Sequence, residues 1–304
     1  MKILNELPIK EKTAVAIGLF DGVHKGHKAL INDLEAQAGL KSLVYTFDSK
    51  PNHFAYKNIY TLDEKEQIFS GMGVDYFCLQ KFDETFSNLT KEEFLKKVIY
   101  DFCAKHITVG FDFKFGKNAE GNIDFLQENC AKYDYTLSVI PEISYEGIKI
   151  SSSYIRSLLS EGNMQQAAKL LGRFYFINGT IVKGNHIGTK IGFPTANLSA
   201  DKLMPKYGVY ATIAQIGNKR YRAVTNVGTK PTIKNDNIPN VETYILDFDQ
   251  DIYDENLRVY FVQRVRREQA FATVDQLKAQ IAIDAIKAAE LLKNLDVYND
   301  YIMC

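Results

Sequence analysis

Apolar residues along the first half of the chain switch between two periods. Thr13–Phe20, "TAVAIGLF", is a nearly unbroken apolar run of strand length, and "HKALINDLEAQAG" after it has helical spacing. "SLVYTFD" (Ser42–Asp48), "KHITVGFDF" (Lys105–Phe113) and "YTLSVIPEI" (Tyr135–Ile143) read as further strands, with helical "KEEFLKKVIYDF" between the first two. Strands alternating with helices predict parallel βαβ units and an α/β domain. Two short helical patterns, "SYIRSLLSEG" and "NMQQAAKLLG", close this half, each stopped near a glycine.

After Gly172 the period shortens. "YFINGTIV", "GVYATIAQIG", "KRYRAVTNVG", "VETYILDF" and "LRVYFVQRV" are short strand-like runs separated by Gly, Asn, Asp and Pro. In the last of these Leu257, Val259 and Phe261 alternate with Arg258 and Tyr260, the period of a half-buried strand. Such strands predict a small antiparallel β-barrel. Leu277, Ile281, Ala285, Ala288, Leu292 and Leu295 then form one apolar stripe of a C-terminal helix. The expected division is therefore residues 1–169, α/β, and residues 170–304, barrel plus helix. A length of 304 residues accommodates two such domains.

Composition narrows the classes of function. Lys+Arg and Asp+Glu are equal at 37 each, so no global charge favours nucleic acid or an anionic membrane. The start "MKILNELPIKEK" lacks the apolar core of a signal peptide, and no run approaches the roughly 20 apolar residues of a membrane span. Cys78, Cys103, Cys130 and Cys304 form no C-x-x-C pair and suit reduced thiols in a cytoplasmic enzyme.

Two of the chain's five histidines stand three residues apart in "GLFDGVHKGH", between the first strand and its helix. A helix N-terminus carries unpaired N–H groups and partial positive charge, so His24 and His27 on the first turn could face one phosphate. Gly22 and Gly26 would let a ligand approach the main chain. A plain helix start with solvated histidines is the alternative. A zinc site is a weaker one, since no second pair stands at ligand spacing. In "KISSSYIR" (Lys149–Arg156), Ser152 or Ser153 can cap the next helix and Arg156 offers a guanidinium fork for phosphate.

"KGNHIGTKIGFPTANL" opens like a phosphate loop, but three residues rather than four separate Gly184 from Gly188, and Thr189 precedes Lys190. Thr195 and Asn197 are hard oxygen donors of the kind Mg²⁺ takes. Strand alternation puts Glu242 on one face with Tyr244, Leu246 and Phe248, which makes it a candidate general base.

The string G-x-F-D-G-V-H-x-G-H resembles the HxGH signature of the adenylyltransferase superfamily. "ISSSYIR" is similar to its I-S-S-T-x-x-R element, with Ser153 at the Thr position, and "GFPTANL" with "NVGTKPT" and "VETYILDF" resembles riboflavin kinases. Together with "GFDFKFGKNAEGN" and "LLGRFYFINGTIV", these motifs identify the chain as resembling the bacterial bifunctional riboflavin kinase/FAD synthetase family from about Ala14 to Asp284. The resemblance implies an N-terminal Rossmann-like FMN adenylyltransferase domain and a C-terminal riboflavin kinase barrel. It implies ATP on Gly18, Phe20, Asp21, Gly22, His24, His27, Ser153 and Arg156 in the first. In the second it implies ATP on Gly184, Gly188, Lys190, Gly192, Thr195 and Asn197, with Mg²⁺ on Thr195 and Asn197. Flavin is expected against Asp48, Phe113 and Asn118, and against Glu242 in the kinase. His24, His27, Arg156 and Glu242 would carry the chemistry. Riboflavin, FMN and ATP are the expected small-molecule partners, with no nucleic acid or membrane, for a monomer or weak homo-oligomer.

The chain departs from the family pattern at Ser49-Lys50, where Pro-His is usual, at Thr189, where a basic residue is usual, and at Asp254, where glycine is common. An FAD synthetase with an inactive barrel, or a non-catalytic flavin or nucleotide sensor, are the alternatives these departures leave.

Overall fold

The computed structural model describes residues 1–4, 6–48, 57–182, 192–229 and 239–295. Contacts divide the chain into two compact units, Met1–Ser152 and Ser153–Cys304.

The first unit is built on a six-stranded parallel sheet. Its strands are β1 (Lys2–Ile3), β2 (Thr13–Ile17), β3 (Lys41–Phe47), β4 (Tyr76–Gln80), β5 (Ala104–Gly110) and β6 (Thr136–Ile140), in the order β1-β4-β3-β2-β5-β6. The crossovers are α1 (Lys25–Glu35), α2 (Leu62–Gly71), the short α3 (Glu84–Ser87), α4 (Lys91–Asp101) and α5 (Ile123–Tyr133). The alternating pattern foresaw β2, β3, β5 and β6, while β1, β4, α2, α3 and α5 are additions. β2 is buried at every position, which explains its unbroken apolar run. α1 buries Leu30, Ile31 and Leu34, each contributing about 1.5–3 kcal/mol. Its outer half is tied to the sheet by a polar network: Asp33 Oδ2 lies 2.9 Å from His106 Nε2 and accepts from Thr108 Oγ1 at 2.7 Å. A hairpin, β7 (Ser144–Tyr145) and β8 (Ile148–Lys149), follows β6.

The second unit begins with α6, whose full span is Ser152–Glu161, and α7 (Met164–Leu171), which ends at Gly172 with φ +80°. The expected cut lay near residue 170. The contact boundary lies earlier because α7 packs against β9 and β14 of the second sheet and the Leu159 carbonyl accepts from the Lys206 amide. That sheet is antiparallel: β9 (Tyr175–Thr180), β10 (Thr195–Leu198), β11 (Gly208–Ile216), β12 (Lys219–Thr229), β13 (Pro239–Ile245) and β14 (Asn256–Arg266), in the order β10-β13-β12-β11-β14-β9. Its two edges meet at a bridge between Val182 and Asn197, with the Val182 amide 3.0 Å from the Asn197 carbonyl, so the sheet curls into a barrel.

The interior holds Tyr175, Tyr210 and Phe261 in ring contact, beside a buried chain of hydroxyls, Thr212, Thr225 and Thr243, spaced 2.8 and 3.0 Å. Tyr260, expected on a solvated face, is buried, because its ring packs on Phe176 and its hydroxyl bonds Gln215. Helix α8 (Val274–Leu291) lies on β11, β12 and β14. Its inward stripe contains a charge the apolar pattern did not foretell. Asp284, 2% exposed, receives Nε and Nη2 of Arg266 at 2.7–2.9 Å, a bidentate pair.

Candidate functional sites

In the first unit, sequence neighbours β3 and β4 lie on one side of β2, and β5 and β6 on the other. The carboxyl ends of β2 and β5 therefore diverge at a topological switch point, where open α/β sheets bind ligands. A cleft of about 1040 Å³ opens there. Its lining combines aromatic rings, among them Phe47, Phe82, Phe86, Phe111, Phe113 and Phe115, with polar groups, among them His24, His27, Lys117, Asn118, Ser151 and Ser152.

The histidines are built into the start of α1. His24 is its N-cap, with φ −80° and ψ 177°. His24 Nδ1 accepts from the His27 amide, and His27 Nδ1 accepts from the His24 amide, both at 3.3 Å. This is a capping box in which two imidazoles replace the usual hydroxyl and carboxylate. The rings stack at 3.7 Å with planes 13° apart. Because both Nδ1 atoms act as acceptors, each neutral ring carries its proton on Nε2 and presents an N–H donor. Gly26 suits the same geometry, since a Cβ there would stand 3.1 Å from the His24 ring and press on it.

The main chain before the cap turns through positive φ at Phe20 (+48°), Gly22 (+87°) and Val23 (+39°). Gly18 and Phe20 line the cleft. Asp21 is buried and turned away, with its carboxylate accepting from the Ile59 amide at 2.9 Å and its carbonyl from Ser152 Oγ at 2.7 Å. Ser152 thus anchors the loop and, as the first helical residue of α6, is not its N-cap. Ser153 and Arg156 follow on α6, in the second unit, and are not among the residues lining this cleft.

Phe113 and Asn118 line the cleft, Asn118 at φ +53°. Asp48 does not; its carboxylate accepts from the Phe82 amide at 2.9 Å and so fixes the exit of β4. Ser49 and Lys50 lie outside the described residues.

The barrel assembles its polar groups by strand register. Asn197 of β10 pairs with Glu242 of β13, which pairs with Asn226 of β12, so three polar side chains stand in one row across the sheet. Thr195 and Tyr244 pair one step along on the same face, and Phe193 packs on the Tyr244 ring. The face expected to continue through Leu246 and Phe248 stops at Tyr244, because β13 ends at Ile245 and Asp247 takes φ +54°.

Asn240 Nδ2 donates to Glu242 Oε1 at 2.7 Å, which fixes the carboxylate's orientation. Asn197 Nδ2 donates to the Thr195 carbonyl at 3.4 Å, which leaves its side-chain oxygen as an acceptor. With the Thr195 hydroxyl and the Glu242 carboxylate, this is an all-oxygen donor set suited to a hard divalent cation. The Glu268 carboxylate borders the row, lying so close to Gly228 that any Cβ there would collide with it.

Asn226, Asn240 and Glu268 were not anticipated as site residues. Asn226 lies within a quoted motif, but its place beside Glu242 follows only from strand pairing. Gly192 is described, at φ +87°, while Gly184, Gly188, Thr189 and Lys190 lie outside the described residues.

Comparison with known proteins bears on both sites at once. The family model for FAD synthetase matches residues 6–154 and that for riboflavin kinase residues 171–292. A bifunctional riboflavin kinase/FMN adenylyltransferase of Escherichia coli K12 is 34% identical over 94% of this chain and 95% of its own. The chain belongs to this family. The Bacillus subtilis member is 33% identical over 93% and 94% of the two chains. A crystal structure from Streptococcus pneumoniae, described as a macrolide-efflux protein, matches 96% of this chain and 97% of its own at 34% identity and TM-score 0.84. No helix among the described residues is long and apolar enough to cross a membrane. Both enzymatic domains of the bifunctional riboflavin kinase/FMN adenylyltransferases are thus present in one chain.

Proposed function

We propose that the chain makes FAD in two ATP-dependent steps, each assigned to one half, residues 170–304 and then residues 1–169. In the barrel, riboflavin's terminal hydroxyl gives its proton to Glu242 as its oxygen attacks the γ-phosphorus of ATP, and ADP leaves. Asn240 holds Glu242 in place, and Thr195 and Asn197 hold the nucleotide phosphates with their cation. Mg²⁺, when bound, would neutralise charge on those phosphates.

In the α/β half a phosphate oxygen of FMN attacks the α-phosphorus of ATP, the bond to the β-phosphate oxygen breaks, and pyrophosphate leaves. The FMN phosphate is already largely dianionic at neutral pH, with a second pKa of about 6, so this step needs no base. It needs donors for the charge that builds at phosphorus and on the leaving group. The Nε2–H groups of His24 and His27 and the N-terminus of α1 supply them. The aromatic side chains of the cleft take the isoalloxazine ring, against Phe113 and beside Asn118. Dependence on ATP supports a cytoplasmic location, and a monomer or weak homo-oligomer suffices.

The observation that carries the reading is the reciprocal imidazole cap, which turns two histidines into paired N–H donors at a helix N-terminus. A time course with riboflavin, ATP and Mg²⁺, resolved into riboflavin, FMN and FAD, with a parallel FMN-fed reaction, tests it. FMN should rise and give way to FAD. FAD from added FMN alone would leave an inactive kinase barrel, and tight flavin binding without product would make the chain a sensor.

A further inference from the structure

A lysine stands beneath the nucleotide loop with no part in the steps above. Lys65, on α2, is only 3% exposed, and its ammonium donates to the Leu19 carbonyl at 2.9 Å. Burying an ammonium costs several kcal/mol, so it persists where its bonds organise something. Leu19 immediately precedes Phe20, and the same carbonyl receives Thr46 Oγ1 at 3.2 Å. One helical turn further along α2, the Phe69 ring meets the Phe20 ring edge-on at 5.4 Å. Phe20 in turn meets the His27 imidazole edge-on at 5.2 Å.

Helix α2 thus grips the loop twice, by charge at the Leu19 carbonyl and by packing at the Phe20 ring. The grip spans the residue with φ +48°, a conformation that costs of order 1–3 kcal/mol unless its surroundings enforce it. The base of α2 is fixed in turn. Thr61 and Glu64 form a capping box, and the Asp21 carboxylate holds the Ile59 amide just before it.

We propose that Lys65 is a positioning residue for adenylyl transfer. It holds Leu19 and Phe20 so that the Phe20 ring fixes His27, and with it the Nε2–H aimed at the reacting phosphates. The assignment rests on the adenylyltransferase reading above. Lys65 is not among the residues lining the cleft, so its removal is expected to act on turnover through His27 and to leave the kinase untouched.

The full-length chain is assayed for FAD formation from FMN and ATP, and separately for FMN formation from riboflavin. Lys65→Met, of similar length and without charge, is expected to lower kcat for FAD formation by about 10–100-fold, with KM for ATP changed less than about threefold. Lys65→Arg, which keeps charge and donors, is expected to recover most of that loss. FMN formation should be unchanged in both. Unchanged kcat in folded Lys65→Met, a loss confined to KM, or an equal loss in both activities overturns the proposal. Should Lys65→Met fail to fold, Phe69→Leu loosens the other end of the grip and should lower kcat in the same direction; no change there is equally fatal. A wild-type chain that forms no FAD defeats the adenylyltransferase reading instead. The His27 imidazole resonances then decide, because they shift in Lys65→Met if the grip sets the ring and stay fixed if it does not.

Discussion

The two halves hold the groups proposed to handle phosphate by opposite means. In the α/β half the donors come from one short stretch, residues 18–27, bent into shape by positive-φ turns and closed by a cap in which ring and main chain hold each other. In the barrel the groups come from three strands, and no two of Asn197, Glu242 and Asn226 are close in sequence. The first site depends on local conformation and the second on register, where a one-residue slip of any one of these strands would turn its side chain to the other face and break the row. A site made by a loop is tuned by what braces the loop. A site made by register is only as sound as the sheet that keeps it.

Substitutions can separate these two modes. The largest effect is expected from Glu242→Gln, which keeps the Asn240 contact but removes the base; FMN formation should fall by about 10²–10⁴-fold while FAD formation from added FMN persists. His27→Ala should do the reverse, lowering FAD formation by about 10²–10³-fold with FMN formation intact. It also removes one arm of the cap, at about 1 kcal/mol, visible as a lower melting temperature of the α/β half. If either variant loses both activities while folded, the contrast between two independent sites fails.

Asp284→Ala strands Arg266 under α8 and should cost the barrel about 3–5 kcal/mol, so kinase activity is lost on heating before adenylyl transfer. Simultaneous loss would mean that α8 is not what secures the barrel.

The smallest effect is acid sensitivity near the C-terminal end of α1. Burial alone would raise the Asp33 carboxyl, but hydrogen bonds from Thr108, His106 and Ser138 outweigh it and hold the group below its ordinary 3.8. Its stabilisation is therefore present above that value and is lost as pH falls through the lowered one. Asp33→Asn should flatten the acid limb of a stability–pH profile without altering the barrel's melting.

The same contrast explains what could be read along the chain. Strand and helix periods are local, so β2, β3, β5 and β6 and the barrel strands other than β10 announced themselves, as did the helix start at His24; β10, Thr195–Leu198, lay inside a stretch read as a loop. β4, the five residues "YFCLQ", was too short and too mixed to stand out. Polar groups that serve the fold were harder. Asp21 and Asp48 resemble ligand contacts in sequence, yet each spends its carboxylate on a backbone amide, of Ile59 and Phe82. Asn240, Lys65 and Asp284 gain meaning only from partners brought near by folding. Asp254, where the family often has glycine, sits at φ +65°, so that departure keeps a left-handed turn with a residue that tolerates it.

The paired imidazoles have one more consequence, for tolerance of transition metals. Two histidines three apart on a helix would ordinarily invite zinc, nickel or copper. Here each Nδ1 is committed to a backbone amide, and each Nε2 bears the proton that this commitment dictates. For a metal to be chelated, that proton must leave or move to Nδ1, and in the second case the two donors would oppose each other and open the helix. The cap that would ready these rings for an anion would by the same commitment guard them against poisoning by a stray cation.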